Sequence, residues 1–184
     1  MENKKSISTR TVVFTGMFVA VLAVLSQMAI PMPSGVPVTL QTFAVALTAY
    51  VLGWKMGVAA TAVYILLGAV GVPVFANFSG GFDKLVGMTG GFIWGFLFMV
   101  LLCGLGLKQK NKGLLIVLSA AGLAICHLLG IFQFMAVMDM ELVPAAMAVS
   151  VPYLVKDVVS VVLAYFVALA VRRGLSAANL AYEM

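Results

Sequence analysis

Apolar runs follow one another almost without pause from Val12 to Val171, and only short polar gaps separate them. Such runs restrict a chain severely, because a membrane-spanning helix takes about 20 consecutive apolar residues, whereas a soluble helix shows an apolar stripe on one face only. Hydrophobic residues make up 64% of the 184 and charged residues 9%, against about 25% charged in a soluble domain. No water-soluble fold hides that much apolar surface in a chain this short. The expected architecture is an all-α integral membrane protein, a single bundle of about six transmembrane helices at roughly 20 residues per span, covering residues 1–184 as one domain.

The first helix is expected over Val12 to Ile30. The basic stretch before it resembles the start of a signal peptide, but no Ala-x-Ala cleavage site precedes Pro31, so the helix is read as retained. Gly16, Ala20 and Ala23 give it a small-residue face that lets another helix approach closely. Pro31 to Pro37 is too proline-rich for helix and reads as a loop capping the bundle. A second helix spans Val38 to Gly53, with Thr39, Gln41 and Thr42 at its first turn, and after a turn at Trp54 to Gly57 a third spans Val58 to Val72. Pro73 to Gly87, with Phe75, Asn77 and Ser79, is too polar for lipid and too apolar for an ordinary surface loop. It reads as a lid or partly re-entrant loop, since irregular backbone at membrane depth is tolerated where it lines a cavity. Thr89 to Leu107 forms the fourth span, opening on Gly90-Gly91, where backbone comes close to a neighbouring helix or a ligand. The fifth covers Leu114 to Val137. The sixth lies within Ala145 to Val171, interrupted near its start at Pro152 and stopped at Arg172-Arg173-Gly174.

Basic residues then set the orientation. With the N-terminus inside, the cytoplasmic segments hold Lys4, Lys5, Arg10, Lys55, Lys108, Lys110, Lys112, Arg172 and Arg173, while the outer ones hold Lys84 with Asp83, Asp139 and Glu141. That bias is what the positive-inside rule describes for an even number of spans with both termini cytoplasmic. Residues 1–11 and 172–184 are then cytoplasmic ends. The net charge of +5 follows from topology and does not call for nucleic acid. Both proline- and glycine-rich loops, and the start of the sixth helix, face outward.

The outward end of that sixth helix carries the chemistry. Lys156 and Asp157 stand side by side in an apolar run, and charge inside a membrane span marks a functional site by default. Tyr153, Lys156, Asp157 and Ser160 fall on one helical face, which must look into the bundle toward Gln41 and Asn77. Adjacent residues on a helix do not face each other, so Lys156 and Asp157 are expected to reach for separate partners. A carboxylate, an ammonium, two amides and several aromatics suit a small amphipathic solute with donors and acceptors. They do not suit a metal. His127 is the lone histidine and reads as packed within its helix, and Cys103 and Cys126 lack ligand spacing. The chain has no HExxH, no GxSxG and no Gly-Lys pair, hence no P-loop. Catalysis and ATP hydrolysis are not expected of it.

Four separated motifs carry a family likeness: Pro37-Val38-Thr39-Leu40-Gln41-Thr42-Phe43-Ala44-Val45, Leu66 through Phe75, Gly87-Met88-Thr89-Gly90-Gly91-Phe92, and Tyr153-Leu154-Val155-Lys156-Asp157. In this order and spacing the chain resembles BioY, the biotin-specific S component of energy-coupling-factor vitamin transporters. Phe92 departs from the tyrosine expected there, which leaves no hydroxyl contact at that position. The resemblance implies a substrate-capturing subunit in a prokaryotic plasma membrane, working with a transmembrane T component and two ATPase subunits that use ATP, with no cofactor of its own. It also implies that the first-helix face of Gly16, Ala20 and Ala23 docks the T component. Biotin would meet Asp157 through a ureido N–H and Lys156 through its carbonyl or carboxylate, with Asn77 and Gln41 serving either end. Phe75, Trp94 and Tyr153 would wall the apolar part, and Thr39, Ser79 and Gly91 complete the expected set. The competing readings are a stand-alone proton-coupled vitamin transporter and an intramembrane enzyme.

Overall fold

The computed structural model describes residues 8–109 and 111–180. Lys4, Lys5 and Lys110, counted above on the basic side, lie outside them. The chain folds as α1 (Thr9–Ser26), a two-residue strand pair β1 (Ala29–Ile30) and β2 (Val38–Thr39), α2 (Gln41–Ala69), a 3-10 turn (Ala76–Phe78), a short α3 (Phe82–Val86), α4 (Gly90–Lys108), α5 (Lys112–Met138), a short α6 (Leu142–Val149) and α7 (Val151–Ala177). The helices α1, α2, α4, α5 and α7 are long and apolar enough to cross a membrane.

α2 is two helices joined across a kink at Gly53. Gly53 sits at φ 73°, ψ 178°, a region essentially closed to residues with a Cβ. The Gln41 amide nitrogen lies 2.9 Å from the Tyr64 hydroxyl, 23 residues along the chain, whereas a straight helix would hold them about 35 Å apart. α2 is therefore two legs folded back on each other at Gly53. The break falls one residue before the turn expected at Trp54 to Gly57. Gly57 lets α4 pack closely on the second leg, since a Cβ there would lie 2.9 Å from the Val100 side chain. The second leg ends in a Schellman cap: Gly71, at φ 100°, donates to Gly68 O at 3.1 Å, and Val72 donates to Leu67 O at 3.0 Å.

Several boundaries differ from the sequence expectation. α1 stops at Ser26 and not Ile30, because Ala29–Ile30 pairs antiparallel with Val38–Thr39, Ala29 opposite Thr39. The proline loop thus closes as a small hairpin, with Gly35 N donating to Met32 O across Pro33 and Ser34, the type I arrangement that favours Pro second and Gly fourth. The break before α7 falls at Ser150, and Pro152 lies in α7's first turn, where its missing N–H costs nothing. α7 also runs through Arg172-Arg173-Gly174 to Ala177 and is not stopped there.

The two legs of α2 occupy the centre, in contact with α1, α4 and α7, while α4 packs along α5. One large apolar core holds Leu22, Tyr50, Tyr64, Met99 and Val100, and a smaller one gathers Val36, Phe134, Val149 and Tyr153 beneath the hairpin loop. Basic groups collect at the end bearing Gly53: Arg172 donates to Tyr50 O at 3.5 Å, and Arg10 reaches Asn179 O at 3.5 Å. The hairpin loop, α3 and the start of α7 form the other end.

Candidate functional site

That other end encloses a cavity of about 440 Å3, within the size range of small-molecule pockets. Four parts of the chain wall it: the hairpin loop with the start of α2, the segment from Phe75 to Thr89, the first turns of α4, and the first turns of α7.

α7 contributes Tyr153, Lys156 and Asp157. Tyr153 and Asp157 are buried beside Ser160, on the face expected from their spacing. Asp157 lies at the centre of a polar chain. Its Oδ2 is 3.2 Å from His127 Nε2 on α5, and His127 Nδ1 is 2.9 Å from the Ser150 hydroxyl at the α6–α7 break. Its Oδ1 pairs with the Lys156 ammonium, which corrects the expectation that these neighbours would not meet. The reason is reach: the lysine's four-carbon stem lets its head swing along the helix surface to the adjacent carboxylate. Each charge does keep a second partner, since Lys156 Nζ also donates to Thr39 O at 2.8 Å. That partner is a backbone carbonyl rather than Gln41. Asp157 Oδ1 is buried, has the ammonium as neighbour, and makes no well-oriented hydrogen bond within the described residues.

Tyr153 commits its hydroxyl to the hairpin loop. It donates to Val36 O and lies 3.1 Å from the Ser34 hydroxyl, so this side chain fastens the hairpin loop over the pocket while its ring supplies wall. Gln41 accepts from the Thr39 hydroxyl at 3.1 Å and donates to Tyr64 at 2.9 Å. Tyr64 meets Ser26 at 2.9 Å, and Ser26 donates to Val74 O at 3.0 Å. The floor of the site is thereby tied to the end of α1.

Asn77 occupies a left-handed conformation, φ 57°, as does Phe78 at φ 52°. The turn persists because it is fastened from both sides: Phe75 N donates to Ser79 O at 2.9 Å, and Phe78 N to the Gln27 side chain at 2.7 Å. Phe75 is set by Gly68, whose missing Cβ would lie 2.0 Å from the ring, and by an edge contact with Tyr64. Phe75, Asn77 and Ser79 all border the cavity.

Gly91 and Trp94 do not border it. Gly91 faces the α5 backbone, where a Cβ would meet Leu129 O at 2.1 Å. Trp94 is 40% exposed, and its indole N–H donates to Leu85 O at 3.2 Å. The glycine pair serves helix packing, and Phe92, Ile93 and Phe96 supply the aromatic and aliphatic wall instead. Gln133 of α5 completes the roof, donating to Leu85 O at 2.9 Å and Gly87 O at 2.7 Å. Among the described residues no group of three or more His, Cys, Asp or Glu side chains could hold a metal ion.

The comparisons with known proteins bear on this arrangement. The BioY family model matches residues 1–177. The chain belongs to the BioY family. A protein named biotin transporter BioY from Thermotoga maritima is 40% identical over 168 residues, 89% of this chain and 96% of that one. A namesake from Rhodobacter capsulatus is 34% identical, covering 86% of this chain and 91% of its own length. The fold matches a crystal structure of an S component for biotin from an ECF-type ABC transporter with TM-score 0.80, at 21% identity, over 94% of this chain and 95% of that chain. As a BioY member with helices apolar enough to span, this is a multi-pass protein of a prokaryotic cell membrane.

The four BioY-like motifs, far apart in sequence, converge on the cavity: Pro37, Thr39, Gln41 and Thr42 from the first, Phe75 from the second, Gly87 to Thr89 and Phe92 from the third, and Tyr153, Lys156 and Asp157 from the fourth. Sequence reasoning missed His127 as a partner of Asp157 and Ser150 as the partner of His127. No local signal points to them, because each stands in an apolar run and their meeting is tertiary. Phe92 lies edge-on to the His127 ring at 5.9 Å, an apolar role that needs no hydroxyl.

Proposed function

We propose that this chain captures biotin in the cavity between the hairpin loop, α4 and α7, as the substrate-binding subunit of an ATP-driven uptake transporter. The observation that carries the reading is the buried carboxylate of Asp157 paired with the Lys156 ammonium, in a pocket that sets the polar side chains of Thr39, Gln41 and Asn77 beside the rings of Phe75, Phe92 and Tyr153. The names of the T. maritima and R. capsulatus relatives support the ligand. Biotin's ureido ring has two N–H donors and one carbonyl acceptor, its thiophane is apolar, and its tail ends in a carboxylate. Asp157 accepts a ureido N–H, Lys156 donates to the carbonyl or the tail, and Asn77 and Gln41 serve either end. Phe75, Tyr153 and Phe92 enclose the apolar part.

Six spans, both termini cytoplasmic and the site near the extracellular side complete the proposal. The fold-back of α2 at Gly53 supports the count, and Arg10 and Arg172 at the end opposite the cavity support the orientation. A T component and two ATPase subunits supply the drive. The docking face is Gly16, Ala20 and Ala23 of α1: Gly16 and Ala20 are exposed and nothing lies within 4 Å of a Cβ built on Gly16. Purified protein challenged with labelled biotin and excess thiamine, riboflavin or unlabelled biotin tests the substrate. Displacement by biotin alone is expected; displacement by another vitamin at equal concentration overturns the assignment.

A further inference from the structure

His127 stands behind the cavity and does not border it, yet it is the only side chain on α5 paired with the buried carboxylate. It is 5% exposed, enclosed by the Phe92 ring on one side and by Ser150 and Asp157 at its two nitrogens. A carboxylate can only accept, so the Nε2 facing Asp157 Oδ2 at 3.2 Å carries a proton. Nδ1 then meets the hydroxyl of Ser150 at 2.9 Å. Ser150 is the link residue between α6 and α7, at φ −124°, ψ −59°. One carboxylate oxygen is therefore held from behind by a rigid, buried ring, and the other, Oδ1, is paired with Lys156, both residues lining the cavity.

A carboxylate on a single freely rotating stem could exchange its two oxygens or turn toward the lysine alone. The imidazole removes that freedom. We propose that His127 is a positioning residue for ligand recognition: through Nε2 it locks the Asp157 carboxylate so that Oδ1 presents a fixed acceptor to a ligand N–H, and Ser150 fixes the ring in turn. This follows the logic by which partners behind a binding group set its orientation and strength. The arrangement also joins the binding carboxylate to the α6–α7 break, so the acceptor's aim depends on how the two helices meet.

The proposal rests on the biotin reading above, and the test separates the two. Biotin is titrated into detergent-purified wild type, H127F, H127Q and S150A, each alone and combined with D157N, with thermal unfolding followed in parallel. H127F keeps the ring's shape against Phe92 and loses the donor; H127Q retains an amide N–H able to reach the carboxylate. The expected result is a loss of at least tenfold in biotin affinity for H127F, a smaller loss for H127Q and S150A, and less than a twofold effect of each when Asp157 is already asparagine. Should H127F fail to fold, S150A and H127Q carry the same comparison. If wild type binds biotin and these substitutions leave affinity within twofold, or cost the same factor in both backgrounds, His127 does not act through Asp157 and the proposal is overturned. If wild type binds no biotin, the biotin reading itself fails and takes the proposal with it.

Discussion

Asp157 and Asn77 border the same cavity but are held in opposite ways. Asp157 is gripped by His127 and Lys156, whereas the Asn77 side chain makes no hydrogen bond among the described residues and is aimed by its left-handed backbone alone. N77A is therefore expected to weaken biotin binding severalfold, with a stability loss of about 1–2 kcal/mol that comes from holding alanine in the left-handed backbone and not from any lost internal contact. Tyr64 behaves conversely. Its hydroxyl joins Gln41 to Ser26, and Y64F takes the acceptor from the Gln41 amide N–H while Ser26 keeps the Leu22 and Val74 carbonyls, so unfolding in detergent should reveal a loss of about 1–3 kcal/mol. An unchanged midpoint for Y64F would remove this network from the account. Legibility in the sequence divides along the same line. Lys156, Asp157, Asn77 and Gln41 are conspicuous because polar groups in apolar surroundings need a reason. His127 and Ser150 are polar in apolar surroundings too, but a single histidine or serine within a span is readily satisfied by its own helix, and only the fold shows that they meet. Trp94 and Gly91 misled for a related cause: position near a loop predicts neighbourhood, not which way a side chain faces.

At the scale of elements, the fold depends on where helices are broken. Gly53 turns α2 back with a backbone conformation reserved for glycine, and G53A is expected to cost about 1–3 kcal/mol. G16A, on α1, meets nothing within 4 Å and should leave the isolated chain's stability unchanged. Matched unfolding midpoints for the two variants would contradict the role given to the Gly53 turn. The helical runs and their polar gaps are legible in the sequence because hydropathy records burial in lipid. The hairpin pairing of Ala29–Ile30 with Val38–Thr39, the small helix Phe82–Val86 and the division at Ser150 are not. Each is decided by packing over the pocket, where short segments exchange hydrogen bonds with distant partners such as Tyr153 and Gln133.

For the whole molecule, the proposed orientation puts the end bearing Gly53, Arg10 and Arg172 in the cytoplasm and the cavity at the outer face. Single cysteines introduced at Ser34 and at Ser176, in a background without Cys103 and Cys126, should react with a membrane-impermeant maleimide from outside and only after lysis, respectively. The reverse pattern would invert the proposed orientation. In liposomes under a proton gradient, the isolated chain should bind but not accumulate biotin. Accumulation without any ATPase would favour a self-sufficient transporter.

The central claim is that the Lys156 and Asp157 pair binds biotin, and calorimetric titration of the purified chain tests it most directly. Wild type should bind one biotin per chain, and D157N and K156A should each bind at least tenfold more weakly, since a hydrogen bond to a buried charge contributes about 1.5–3 kcal/mol. Affinities within threefold of wild type for both variants, with folding intact, would contradict the account.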